Sequence, residues 1–127
     1  MRISIARALR GRCPNCGVGR VMKSWVTINP CCESCGLRFE RGQDEEQDHW
    51  LGAFTLNFIV TEVVFGIALL IAILITWPDP PWARLLYGGG VLMVLMPVVF
   101  YPMSKTLWLA IDLLFRPATP EDFERRD

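Results

Sequence analysis

LGAFTLNFIVTEVVFGIALLIAILITW, residues 51–77, carries a single ionisable side chain, Glu62, and no proline. Its length exceeds the roughly 20 apolar residues that take an α-helix across a bilayer core. The polar run Gly42-Gln43-Asp44-Glu45-Glu46-Gln47-Asp48 precedes it. Pro78-Asp79-Pro80-Pro81 ends it, because the missing N–H groups forbid further helix. Trp50, Trp77 and Trp82 stand at the inferred edges, where amphipathic rings collect in membranes. A transmembrane helix over 50–77 is expected.

A second apolar stretch starts near Leu85 and runs through Gly88-Gly89-Gly90 and Met96-Pro97 to Tyr101-Pro102. It reads as a second, proline-kinked transmembrane helix over 85–104, since membranes tolerate proline where neighbours satisfy the freed carbonyls. Residues 78–84 form the turn between the two, and 105–116 resume helical spacing as a cytoplasmic-end or interfacial helix. Pro117 and Pro120 close that element, leaving 117–127 as a charged, frayed tail. The three glycines suit close helix approach better than phosphate binding, since no Walker lysine follows. Met93, Met96 and Met103 are read as flexible packing.

Composition agrees with a membrane protein. The 127 residues are 52% hydrophobic with no net formal charge, which offers nothing to nucleic acid, and the sole histidine, His49, leaves few catalytic constellations. Eight arginines and lysines precede the first helix, Lys105, Arg116, Arg125 and Arg126 follow or end the second, and only Arg84 lies between. Positive flanks stay in the cytoplasm, so both termini are expected there, in a bacterial inner membrane. Residues 1–12 lack an apolar core long enough for a signal peptide and read as a short amphipathic interfacial helix.

Between that helix and the acidic spacer at 42–49 stand Cys13-Pro14-Asn15-Cys16-Gly17 and Cys32-Glu33-Ser34-Cys35-Gly36. Two CxxC pairs fifteen residues apart suit a four-thiolate site: each pair bites one edge of a tetrahedron while the connector folds back as a hairpin. Backbone N–H groups in such turns point at the sulfurs, and Gly17 and Gly36 supply the positive φ their last positions need. Cys13, Cys16, Cys32 and Cys35 are the expected ligands. A reducing cytoplasm favours metal over disulfides. Cys31 offers an alternative CxxxC register with Cys35, and is read as a spare thiol. Zinc is the expected ion and iron, in a rubredoxin-like centre, its competitor; the short connector and sparse aromatic shielding (Trp25 and Phe39 only) favour zinc. With all four places filled by protein, the site is structural. The fold class is thus a mainly α membrane protein: two transmembrane helices in a hairpin, preceded by a small β-hairpin zinc ribbon over 13–41.

The order CPxCGxGxxxxxW, CxxCGL, acidic spacer and helical hairpin resembles the bacterial family called domain of unknown function 983, from Cys13 to about Arg116. The resemblance implies that Cys13, Cys16, Cys32 and Cys35 bind metal and that Gly17, Gly19, Gly36 and Leu37 form its glycine-rich turns. Some members are encoded beside haem-copper oxidase genes, which implies a part in respiratory oxidase assembly or support. Cys31 and the Tyr101–Lys105 stretch depart from the pattern.

Glu62 is costly inside a membrane and is expected to have a partner. Lys105 is the expected one, locking the hairpin; a partner subunit or a proton relay is the alternative. Asn57 and Thr61, one turn apart, form a polar stripe with Thr55, and Asp112 and Arg116 form an i, i+4 pair. Nothing resembles a nucleophile with its base, and a closed tetrahedral site does not activate water, so no enzyme activity is expected. The leading expectation is a non-catalytic membrane adaptor touching the lipid bilayer and an unidentified membrane protein partner; a homo-oligomer is compatible. A redox or metal-handling factor is the runner-up, and a nucleic-acid-binding ribbon is opposed by Glu33, Glu40 and the acidic run.

Overall fold

The computed structural model describes residues 3–40 and 45–123. Residues 41–44 of the ribbon's end and acidic spacer, and the last four of the charged tail, lie outside the described residues.

Among the described residues three helices form, α1 (Ile5–Leu9), α2 (Glu45–Thr76) and α3 (Trp82–Phe115), followed by a 3-10 turn at Pro120–Asp122. At about 1.5 Å per residue, α2 is roughly 48 Å long, well beyond the roughly 30 Å of a bilayer's hydrocarbon core. Trp50–Thr76 and Trp82–Phe115 are each long and apolar enough to cross a membrane. Their apolar side chains are outward: Ile67, Leu74, Ile75, Leu86, Val94 and Val99 are all exposed. A two-helix hairpin in water would bury such residues, and this one leaves them on every side.

The helices pack antiparallel over a narrow seam. Asn57 Nδ2 donates to the Pro97 carbonyl at 3.0 Å, and Thr61 Oγ1 donates to Asn57 Oδ1 at 3.4 Å. Gly52 lies under the Trp108 indole, where a Cβ would collide with the ring, and Gly89 faces the Phe65 ring. Gly88 and Gly90 meet nothing, so close approach falls to Gly52 and Gly89 instead of the whole glycine run.

α3 is one helix through Pro97 and Pro102, taking in both the 85–104 segment and the 105–116 segment expected as its cytoplasmic end or an interfacial helix. Pro102 withholds the N–H that the Val98 carbonyl would accept. Hydroxyls supplement the interrupted ladder: Ser104 Oγ donates to the Tyr101 carbonyl at 2.6 Å and Thr106 Oγ1 to the Pro102 carbonyl at 2.8 Å. Continuity carries the helix past the apolar stretch and into the N-terminal segment.

There the expected β-hairpin is corrected: among the described residues no strand forms. Isolated antiparallel bridges stand in its place, joining Arg12 to Arg20, Met22 to Ile28, Cys31 to Arg38 and Leu37 to Phe123. The two cysteine turns consume the residues a ladder would need. The core is instead shared between segments: Val21, Ile28, Leu37 and Phe39 bury against Cys13 and Cys32, and Leu109 and Leu113 of α3 complete it. Residues 117–123, expected to fray, pack on it through Ala118 and Phe123, and the Arg38 N–H donates to the Asp122 carbonyl at 2.8 Å.

Candidate metal centre

Both cysteine turns repeat one hydrogen-bond plan. Gly17 N–H donates to the Cys13 carbonyl at 2.9 Å and Gly36 N–H to the Cys32 carbonyl at 2.8 Å; Cys13 N–H reaches the Gly19 carbonyl and Cys32 N–H the Leu37 carbonyl, each at 2.8 Å. The closing residue of each turn adopts positive φ, +76° at Gly17 and +75° at Gly36, a conformation that a Cβ disfavours. The sequence expectation for these glycines holds.

The turns converge their thiols. The Sγ atoms of Cys13, Cys16, Cys32 and Cys35 all lie within 4.8 Å of one another, with 3.9 Å from Cys13 to Cys35 and 3.5 Å from Cys16 to Cys32. A tetrahedral ion with metal–sulfur bonds of about 2.3 Å needs sulfurs about 3.8 Å apart, so these four fit one ion with small adjustments. All five cysteines are thiols, and the alternative pairing through Cys31 is not used. Cys31 is half-buried, its backbone bridged to Arg38 instead.

N–H groups converge on the sulfurs as expected of such turns. Val18 N–H approaches Cys16 Sγ at 3.5 Å, and Asn15 Nδ2 approaches Cys35 Sγ at 3.7 Å, linking the first turn to the second pair. Burial pushes the Cys13 and Cys35 thiols up, against the N–H bonds that favour their thiolates. At Cys16 burial also pushes upward, but the N–H groups of Gly19 and Val18 with bonds from Cys32 and Cys35 outweigh it, lowering the thiol to about 6.

Supporting residues come from outside the motif. Arg7 of α1 donates from Nη1 to the Asn15 carbonyl at 2.8 Å, and its side chain lies against Gly17. Gly19 passes so close to Cys32 Sγ that any Cβ there would overlap the sulfur. Phe39 is buried in the cluster's core, whereas Trp25 stands away against the helices. Arg7 has no sequence signal, because its role depends on how α1 folds back.

The polar residues expected within the two long helices divide. Asn57 and Thr61 are together at the seam, but Glu62 and Lys105 are not. Lys105 Nζ donates to the Val26 carbonyl at 2.8 Å and lies 5.3 Å from the Tyr101 ring centre. Helix direction is the reason: from the Asn57–Pro97 contact, Glu62 lies away from the ribbon and Lys105 toward it, a separation of roughly 20 Å along the axes. Glu62 instead lines a cavity of about 520 Å³ with Trp25, Phe54, Phe58, Met93 and Tyr101. The Asp112–Arg116 pair forms at 2.9 Å.

Fold and site together define a helical hairpin, apolar enough for a membrane, that carries a four-cysteine cluster able to hold a metal ion. The chain belongs to the family described as protein of unknown function (DUF983), which it matches over residues 22–112. That range takes in Cys32, Cys35, all of α2 and α3 as far as Asp112, while Cys13 and Cys16 precede it. No curated protein and no solved structure matches the chain.

Proposed function

We propose that the protein is a non-catalytic integral membrane adaptor of the bacterial cytoplasmic membrane, with a structural zinc site on the cytoplasmic side shaping a surface for a protein partner. The carrying observation is the cluster's position: four protein thiols converge with no place left for substrate, in a core completed by Leu109 and Leu113 of a membrane-length helix. Zinc in such a site rigidifies a surface and holds it to its anchor. A shallow polar groove lined by Val18, Arg20, Met22, Lys23, Asn29 and Glu33 is the candidate docking face. Support of a respiratory oxidase is the partner context that the resemblance suggests.

Metal analysis with absorption spectroscopy, then crosslinking in native membranes, tests the proposal. Stoichiometric colourless zinc and a crosslinked membrane protein at the groove are expected; a stoichiometric iron spectrum would overturn the adaptor reading. The second reading is a metal-handling or redox factor, favoured by the half-exposed Cys16 with its lowered thiol. Transfer of the bound ion to an acceptor thiol protein within seconds would favour it.

A further inference from the structure

Trp25 and Val26, 55% and 60% exposed, form the tip of the turn between Lys23 and Thr27. The tip's depth follows from its neighbours. The Val26 carbonyl accepts from Lys105 of α3, and Trp25 shares a cavity wall with Phe54 and Phe58 of α2 and with Pro97 and Tyr101 of α3. Phe54 and Phe58 lie four and eight residues inside the apolar stretch that starts at Trp50. At 1.5 Å per residue Phe54 and Phe58 stand roughly 6–12 Å past its edge. Lys105, eight residues beyond Pro97, holds the Val26 carbonyl close to that edge, so the tip lies at the boundary of the apolar stretch. That is the depth at which indoles and amphipathic segments settle between headgroups and acyl chains.

The turn's backbone independently suits that layer. Lys23 and Ser24 N–H groups donate to the Thr27 carbonyl at 2.9 and 3.2 Å, and Thr27 N–H donates to Ser24 Oγ at 3.2 Å. With Lys105 on the Val26 carbonyl, the turn closes much of its polar backbone without water. Its apolar tip also continues the lipid-facing surface: Trp50, itself exposed, stacks on Phe54 at 5.5 Å between ring centres.

We propose that the Lys23–Thr27 turn is a membrane-interface anchor, in which Trp25 and Val26 enter the headgroup and upper acyl layer beside α2 and α3. The anchor holds the thiolate cluster at a set height over the bilayer. It rests on the membrane reading of the two long helices.

The test uses the zinc-loaded full chain with Trp25 as its single tryptophan (W50F, W77F, W82F and W108F), in phosphatidylcholine vesicles containing lipids brominated at shallow or deep acyl carbons. A matching chain retaining only Trp77 is the control. Trp25 should lose most of its emission to shallow bromines, less to deep ones, and resist aqueous iodide. Iodide quenching of Trp25 with no bromolipid effect, while Trp77 is quenched by lipid, would overturn the anchor alone. Failure of bromolipid quenching at both would overturn the membrane reading, and the anchor with it. If the fourfold variant loses zinc, Trp25→Phe in the native chain decides: the fraction of emission quenched by shallow bromines falls with an inserted Trp25 and rises with one in water.

Discussion

Gly19 follows the first cysteine turn, and its missing Cβ leaves the space that Cys32 Sγ occupies. Gly19→Ala must displace either the sulfur or the turn, so metal affinity should drop at least tenfold, measured by competition with a chromophoric chelator. Gly66→Ala, in open surroundings on α2, should leave affinity unchanged. Cys16 sets the pH behaviour of the metal-free cluster. Its thiol is lowered from 9.0 to about 6, so the folded chain holds a thiolate that the unfolded chain would protonate. That stabilisation is full above pH 9 and is lost as pH falls through about 6. Cys13 and Cys35 are raised, so their contribution runs oppositely, present below the ordinary thiol value and lost as pH climbs. Zinc binding at pH 7 should therefore release fewer than four protons per ion, read by calorimetry in buffers of different ionisation enthalpy.

The hairpin depends on a few contacts because its outward apolar sides contribute none. Asn57 bonds α3 directly, and its removal leaves the Pro97 carbonyl without that donor. Asn57→Leu should cost about 1 kcal/mol of helix association, measured by reversible unfolding in mixed micelles. Gly52→Val should cost more, since the branched side chain meets the Trp108 indole at the seam. Both helices were legible in the sequence, because an apolar run of membrane length bounded by prolines has few other readings. The prolines within the second helix were read as kinking it, with 105–116 as its cytoplasmic end or an interfacial helix. α3 runs on through both prolines, and the Ser104 and Thr106 hydroxyls bond the Tyr101 and Pro102 carbonyls beside the second one.

Ribbon, tail and hairpin form one mechanical unit through Leu109 and Leu113, which are buried with Cys13, Cys32 and Phe39. Stripping the metal should thus speed hydrogen exchange in residues 109–115 as well as in the ribbon, while the middle of α2 stays protected. Exchange read by mass spectrometry in detergent checks this; an unaffected α3 end would show the two parts to be independent. Leu113→Ala should destabilise the ribbon by about 2–5 kcal/mol through the cavity it leaves, and weaken metal retention with it. The four clustered cysteines and the glycines that turn the chain around them were legible because each signal lies within five consecutive residues. The apolar lengths and their proline stops are equally local, and residue order settles them. Tertiary structure alone decided that α3 completes the ribbon's core, that the tail docks on it, and that Lys105 meets Val26 while Glu62 lines a cavity. Each of these depends on the antiparallel register of α2 and α3 and on the height at which the ribbon meets them. Register arises from contacts between residues some forty to eighty positions apart, such as Asn57 with Pro97 and Val26 with Lys105, for which no local pattern exists.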